Sequence, residues 1–210
     1  IIRKVREFPG QVTVLAMGPF TNLALASRID EGFAGLASQL IIMGGSFDPD
    51  GSSRDEFALQ FINSPRVEFN DRWDPEAGKM MLHAGWKKIT VVPTDATVGT
   101  KFTQAVDDRA TAGCSTPAAL YVAKYAEIGY PMWDEVASAV LIEPSVVTRS
   151  DKVAMDIDIG HGANYGATVS WSPANAPGLG EPLVTVVRAI NIPRLEQIFA
   201  DEMRRPPQAP

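Results

Sequence analysis

Val12-Thr13-Val14-Leu15-Ala16-Met17-Gly18-Pro19 begins as a mostly apolar run and stops abruptly at a glycine and a proline. The same pattern, an apolar run that ends at glycine or proline, recurs at Leu40–Met43 before Gly44-Gly45 and at Ile89–Val92 before Pro93. Runs of this length that are continuously apolar, rather than alternating, are typical of strands covered on both faces. The three stretches therefore predict three buried strands.

Helical patterns lie between these strands. One helix is expected to begin within Thr21–Ala26. Another is expected at Asp74-Pro75-Glu76-Ala77, where Asp suits the N-cap, Pro the first helical position and Glu the first turn. The alternation of strand and helix predicts an α/β, Rossmann-like fold, with an open, mostly parallel sheet flanked by helices.

The second half of the chain is expected to add further strands and helices to this sheet. The patterns predict helices at Pro117–Ile128, Glu135–Ile142 and Pro193–Met203, strands at Val153–Ile159, Gly166–Trp171 and Leu183–Ile190, and a loop at Ser172–Pro182. We expect residues 1–205 to form a single domain and residues 206–210 to form a tail.

Composition narrows the class of protein. A chain of 210 residues with 45% hydrophobic residues is long enough for one sizeable core. A net charge of -6 argues against nucleic acid as a partner, and no apolar stretch is long enough to predict a membrane span. Ile1-Ile2-Arg3-Lys4 does not resemble a natural start, so we expect an N-terminal portion to be absent. The sequence does not fix the compartment: the alternatives are the cytoplasm or, if a signal peptide precedes Ile1, the periplasm or the exterior of the cell.

Trp133-Asp134 is the most informative pair for function. The carboxylate is able to hold a hard cation, and the indole is able to stack on a flat ligand. The alternative is that Asp134 only caps a helix and Trp133 lies in the core. Met17 and Met43 stand where strands end, the edge at which α/β sheets gather ligands, although plain turns explain their glycine neighbours equally well.

Glu68-Phe69-Asn70 offers acceptor oxygens and an amide suited to the vicinal hydroxyls of a sugar. On an extended segment, residues two apart point the same way, so Glu68 and Asn70 would act together. Asn63 is a weaker candidate of the same kind, and a solvated loop is the alternative for all three. His83 and His161 are not spaced as a pair of metal ligands. We expect His83 to be a surface residue and His161 to be a loop residue.

These residues resemble the calcium-dependent nucleoside hydrolases. Matching stretches run in the family's order from about Val12 to Phe199: Val14–Ala24 resembles "GPLTNLA", Ile42–Gly45 "MGG", Glu68–Asn70 with Asp74–Ala77 "EFN…DPEAA", Ile89–Thr97 "ITVVPLDVT", and Trp133–Ser145 "(H/W)D…A…DP". The resemblance implies hydrolysis of the N-glycosidic bond of a ribonucleoside to ribose and free base.

The resemblance also implies a role for each matched residue. Asp134 matches a carboxylate ligand of the family's Ca²⁺ ion, and Met17 the position whose backbone carbonyl is a ligand. Glu68 and Asn70 match residues that bind ribose hydroxyls, Met43 matches a pocket position near the sugar, and Asn63 is matched to a further ribose-binding Asn. Family members are commonly dimers or tetramers, so a homodimer or homotetramer is expected.

Two departures from the family pattern matter. Many members have His where Trp133 stands, and Trp resembles the purine-preferring branch, in which it stacks on the leaving base. The opening motif D-x-D-x-x-x-D-D is absent, and Asp48-Pro49-Asp50 is too short to replace it. We therefore expect the general base and the other metal carboxylates to lie ahead of Ile1, and the chain alone to be inactive. The rival interpretations are a pyrimidine-preferring or nonspecific hydrolase, and a catalytically dead nucleoside- or sugar-binding homologue.

Overall fold

The computed structural model describes residues 1–49, 64 and 66–207. Its helices are α1 Ile2–Glu7, α2 Thr21–Ile29, α3 Phe33–Leu36, α4 Phe69–Trp73, α5 Pro75–Leu82, α6 Thr94–Thr97, α7 Gln104–Thr111, α8 Pro117–Tyr125, α9 Trp133–Ile142 and α10 Ile192–Arg204. Its strands are β1 Thr13–Ala16, β2 Gln39–Met43, β3 Ile89–Val92, β4 Val147–Ile157, β5 Thr168–Trp171 and β6 Leu183–Ile190. Short 3-10 turns lie at Pro144–Val146 and Pro173–Asn175.

The strands form one mixed sheet in the order β1-β2-β3-β6-β4-β5. The first four strands in this order pair in parallel, which agrees with the fold expected from the apolar runs. β4 pairs antiparallel with both β6 and β5. The carboxyl ends of β1, β2 and β3 consequently share one edge of the sheet, where the candidate residues of the first half lie.

Apolar side chains cover both faces of the sheet, because successive residues of a strand point to opposite sides. In β2, Leu40 and Ile42 join a core cluster with Phe20 and Phe33, whereas Ile41 and Met43 join a second cluster that includes Val136 of α9. The helices therefore form layers on either side. No helix within the described ranges is both long enough and apolar enough to cross a membrane.

Local signals placed several element boundaries correctly. Asp74 caps α5 by accepting a hydrogen bond from the backbone N–H of Ala77 at 3.1 Å, and Pro75 opens the helix. β4, however, begins six residues before the expected Val153 and ends at Ile157. Residues 148–152 are exposed and polar although their main chain pairs with β6, so this part of the strand has no apolar pattern in the sequence.

Other boundaries were wrong by a few residues. α8 ends at Tyr125 rather than Ile128, β5 begins at Thr168, and the 172–182 loop contains a 3-10 turn. Of the expected tail, residues 208–210 lie outside the described residues.

Candidate active site

The pair Trp133-Asp134 opens helix α9. Met132 is the N-cap residue, and no side chain makes a capping hydrogen bond, so Asp134 does not serve as the cap. The Asp134 side chain is half-buried, and this burial raises the pKa of its carboxyl by disfavouring the charged form. A carboxylate held in this way gains from a nearby cation.

Trp133 is also half-buried, and it packs partly against the second core cluster. The ring of Tyr130 meets it edge-on, with ring centroids 6.3 Å apart and an interplanar angle of 74°. Both aromatic residues line a cleft of about 350 Å³, together with Asp134, Phe102 and Phe199. The indole therefore has a packed side and a side on the cleft.

Met17 follows the end of β1 and lies against α9. The Ser138 hydroxyl donates to its sulfur atom at 3.7 Å. Residues four apart share one face of a helix, so Ser138 and Asp134 project from the same side of α9. Met17, just after the end of β1, thus contacts the face of α9 that carries Asp134.

Met43, Glu68 and Asn70 form a second group, at the end of β2. The Asn70 side-chain amide donates to the Met43 carbonyl oxygen at 3.0 Å, and its nitrogen lies 3.6 Å from the Met43 sulfur. Among the described residues, the Asn70 amide oxygen accepts no hydrogen bond, which leaves it available to a hydroxyl group. All three residues are buried.

The expectation that Glu68 and Asn70 lie on one extended segment was wrong. Glu68 is the N-cap of α4, and its Oε2 accepts from the backbone N–H groups of Asn70 at 2.9 Å and Asp71 at 3.1 Å. Asn70 therefore belongs to the first helical turn. The Glu68 carboxyl satisfies donors that a helix start leaves unpaired, and this capping fixes it beside Asn70.

Asp71 is a buried acid that sequence reasoning missed. Its side chain is fully buried; Oδ2 accepts from the Thr168 hydroxyl at 3.2 Å, and Oδ1 has no hydrogen-bond partner in the described structure. Burial raises the pKa of Asp71 to about 7. Burial, and then the charge of Asp71, raise the pKa of Glu68 to about 8. No local sequence pattern could have identified Glu68 and Asp71 as a buried pair of acids, because the burial of Asp71 depends on β5, almost a hundred residues further along the chain.

The Gly44-Gly45 turn is shaped around these carboxyl groups. A Cβ atom at Gly44 would lie 3.1 Å from the Phe20 ring, 3.5 Å from Glu68 Oε2 and 3.7 Å from Asp71 Oδ1. Gly45 has a φ of 85°, in the left-handed region that favours glycine. The glycines therefore allow close approach of protein side chains to the backbone at the end of β2.

Asn63, His83 and His161 are the remaining candidates. Asn63 lies outside the described residues. His83 is exposed, as expected, and its Nε2 lies 3.3 Å from Asp156 Oδ1 on β4. His161 is in an exposed loop, where it stacks on Tyr165 with ring centroids 4.9 Å apart. The contacts of the two histidines are thus with residues outside both groups.

The donors around Asp134 are of the kind that calcium prefers but are too few for a complete site. Calcium takes about six to eight oxygen ligands. The described ranges contain no group of three or more His, Cys, Asp or Glu side chains arranged to hold a metal ion. Asp134 and the Met17 carbonyl would therefore supply only part of a coordination shell.

The fold and the two groups define an α/β protein with a polar site at the carboxyl ends of parallel strands. A family model described as inosine-uridine preferring nucleoside hydrolase matches residues 1–197. The chain belongs to this nucleoside hydrolase family.

Individual relatives agree with this assignment. Uridine nucleosidase 1 of Arabidopsis thaliana is 28% identical, over 97% of this chain and 61% of its own length. An inosine-uridine preferring nucleoside hydrolase of Leishmania major is 28% identical, over 77% of this chain and 50% of that protein. A solved plant nucleoside hydrolase superimposes with a TM-score of 0.76 at 25% identity, over 98% of this chain and 65% of that one. The chain thus spans about three fifths of the length of the first of these relatives.

Proposed function

We propose that the intact protein hydrolyses the N-glycosidic bond of ribonucleosides to ribose and free base. The observation that carries this proposal is the hydrogen bond from Asn70 to the Met43 carbonyl, which fixes a polar corner with Glu68 at the end of β2. Helix α9, which carries Trp133 and Asp134, packs on β2 through the second core cluster. The proposed sugar-binding corner and an aromatic residue on a cleft thus lie on elements that pack together.

Glu68 and Asn70 would bind the ribose hydroxyls. Asn70 offers its amide oxygen, and Glu68 offers a carboxyl held by backbone N–H groups. Breaking the N-glycosidic bond leaves positive, oxocarbenium-like charge on the ribose ring. Hydroxyl contacts that strengthen as this charge develops would lower the barrier, because they favour the transition state over the bound nucleoside.

Trp133 would stack on the departing base, which we infer to be a purine in the preferred substrate. The cleft that Trp133 lines is apolar and aromatic on the side of Phe102 and Phe199. A bicyclic purine offers more flat surface to an indole than a pyrimidine does. An electron-rich indole also favours the ring-protonated purine, which is the better leaving group.

Asp134 and the Met17 carbonyl would provide part of a Ca²⁺ site. When bound, calcium would bind and orient the attacking water and the ribose hydroxyls. In this proposal the other carboxylates and the general base come from outside residues 1–210. Calorimetric titration of Ca²⁺ into the intact protein and into its Asp134→Asn variant tests the assignment, and equal affinities would exclude Asp134 as a ligand.

A pyrimidine nucleoside is the second candidate substrate, because the Arabidopsis relative is named a uridine nucleosidase. Ribose release from inosine and from uridine by the intact protein separates the two. Faster cleavage of inosine supports the purine proposal, and faster cleavage of uridine overturns it. Binding of both nucleosides without release of ribose would mark a binding protein instead of an enzyme.

A further inference from the structure

The Asp71 carboxyl is a buried acid that the proposed ribose chemistry does not use. Its side chain is 0% exposed, and within the described ranges only the Thr168 hydroxyl donates to it. An ionised carboxylate without a counter-charge is costly to bury. An amide or hydroxyl side chain would serve Thr168 equally well without that cost, so the carboxyl needs another explanation.

The Glu68 carboxyl lies beside the same Gly44-Gly45 turn as Asp71. Its Oε2 atom accepts two backbone hydrogen bonds from the start of α4, a pattern that favours an ionised Glu68. Glu68 Oε2 and Asp71 Oδ1 both lie within 3.7 Å of the position that a Cβ atom at Gly44 would occupy. Two carboxyl groups this close in a buried site cannot both be ionised at neutral pH without a large cost.

We propose that Asp71 is a positioning residue for the ribose-binding Glu68, through a carboxyl pair beneath the Gly44-Gly45 turn that holds one proton between its two members. The inference rests on the proposed function for its catalytic consequence. The charge of Asp71 raises the proton affinity of Glu68, so the proton belongs to the pair and not to one member alone. When the pair releases this proton, Glu68, held by its backbone donors, accepts a ribose hydroxyl.

Charged groups on the surrounding elements are engaged away from the pair within the part of the chain that the structure describes. Asp95 of α6 accepts a hydrogen bond from the Phe47 backbone N–H, and Asp74 caps α5 and accepts a hydrogen bond from Thr21. Asp156 of β4 forms ion pairs with Lys79 and His83. Arg66 and Arg72 are exposed. Asp71 is the neighbour whose charge raises the pKa of Glu68. Removing the Asp71 charge therefore acts directly on Glu68.

The Asp71→Asn variant tests the proposal, because Asn keeps an acceptor for Thr168 and loses the charge. We expect the proton affinity of Glu68 to be at least about tenfold weaker in this variant than in the wild type. Carboxyl ¹³C NMR across a pH titration measures this affinity. A Glu68→Gln variant assigns the resonance. Asp95→Asn is the matched control, because Asp95 is a half-buried aspartate that binds the neighbouring Phe47 N–H, and it is expected to leave the titration of Glu68 in place.

Kinetics provide the second arm. If ionised Glu68 accepts a ribose hydroxyl, kcat/KM for inosine rises with pH as the pair titrates, and Asp71→Asn moves this rise to lower pH. An unchanged NMR titration of Glu68 in Asp71→Asn overturns the proposal, whether or not the protein is active. A shifted titration in a protein that releases no ribose keeps the carboxyl pair and overturns the proposed function instead.

Discussion

The Asn70 side chain donates a hydrogen bond to the main-chain carbonyl of Met43 at 3.0 Å and thereby connects the start of α4 to the end of β2. The two residues are 27 positions apart in the chain. The contact uses a donor of Asn70 and leaves the side-chain oxygen for another partner. It therefore gives Asn70 a structural role and a proposed ligand-binding role at once.

Asn70→Asp tests these two roles with two measurements. The variant keeps the shape of the side chain but places an acceptor against the Met43 carbonyl, which removes the hydrogen bond and adds repulsion. We expect a loss of about 1–3 kcal/mol in the free energy of unfolding, and a fall of about tenfold or more in kcat/KM for inosine. Urea denaturation and steady-state kinetics measure the two effects.

Asn175→Asp is the control for that substitution, because Asn175 is exposed and its side chain bonds only to the nearby Ser172 hydroxyl at 2.9 Å in the described structure. It is expected to alter neither measurement by more than a small amount. Wild-type kcat/KM in Asn70→Asp would contradict the assignment of Asn70 to the ribose.

Trp133→Ala is predicted to reduce the preference for purines. Loss of the stacking surface should lower kcat/KM for inosine by about tenfold, since an aromatic contact contributes about 0.5–1.5 kcal/mol beyond its buried area. Uridine should lose less, because its base offers a smaller face. The ratio of the two kcat/KM values is the measurement, and Trp73→Ala, at an indole that is 67% exposed, is the control. An unchanged ratio would remove Trp133 from the base-binding site.

The parts of the fold that were predictable are those with local physical signals. The apolar runs located β1, β2 and β3, and Asp74-Pro75 located the start of α5, because burial on both faces and helix capping act on neighbouring residues. The exposed half of β4 had no such signal, because its main chain pairs with β6 while its side chains face solvent.

The residues of the candidate site likewise divide into those that local sequence patterns identified and those that only the structure revealed. Met43 and Asn70 were found as separate residues at the end of a strand and within a polar motif, and the structure adds the bond between them. Asp71 was missed, because an aspartate near a helix start usually lies in solvent and only Thr168 on β5 reveals its burial. Contacts between distant segments are what local patterns omit.

The buried carboxyl pair predicts that stability falls as the pH rises. Burial raises the pKa of Asp71 from 3.8 to about 7, and burial together with the Asp71 charge raises the pKa of Glu68 from 4.5 to about 8. The folded pair therefore binds a proton more tightly than the unfolded chain does. The stabilisation is complete at pH values below the pKa values of the unfolded chain, 3.8 and 4.5, and is lost as the pH rises through the pKa values of the folded protein, about 7 and about 8. Each such proton contributes a slope of up to about 1.4 kcal/mol per pH unit.

Replacing both members, as Glu68→Gln with Asp71→Asn, should flatten this dependence, because neither amide titrates and both still accept hydrogen bonds. Urea denaturation at a series of pH values between 5 and 8 measures the slope. Asp201→Asn, an exposed position on α10, changes neither buried carboxyl and should keep the wild-type slope. Identical slopes in the wild type and in the double variant would show that both carboxyl groups are ionised across this range.

Gly78 allows α5 to pack closely on β4, and this contact predicts a coupled pair of substitutions. A Cβ atom at Gly78 would lie 2.5 Å from Ile157 Cδ1 and 3.4 Å from the Phe20 ring. Ile157 and Phe20 are themselves buried, so Gly78→Ala is expected to cost about 1–3 kcal/mol through overpacking, offset in part by the roughly 1 kcal/mol by which alanine favours a helix. Ile157→Val removes the obstructing methyl group and should restore stability in the double variant. Gly99→Ala, where no atom lies within 4 Å, is the control. Additive effects of the two substitutions in a double-mutant cycle would show that α5 and β4 separate to admit the new methyl group, instead of meeting it at Ile157.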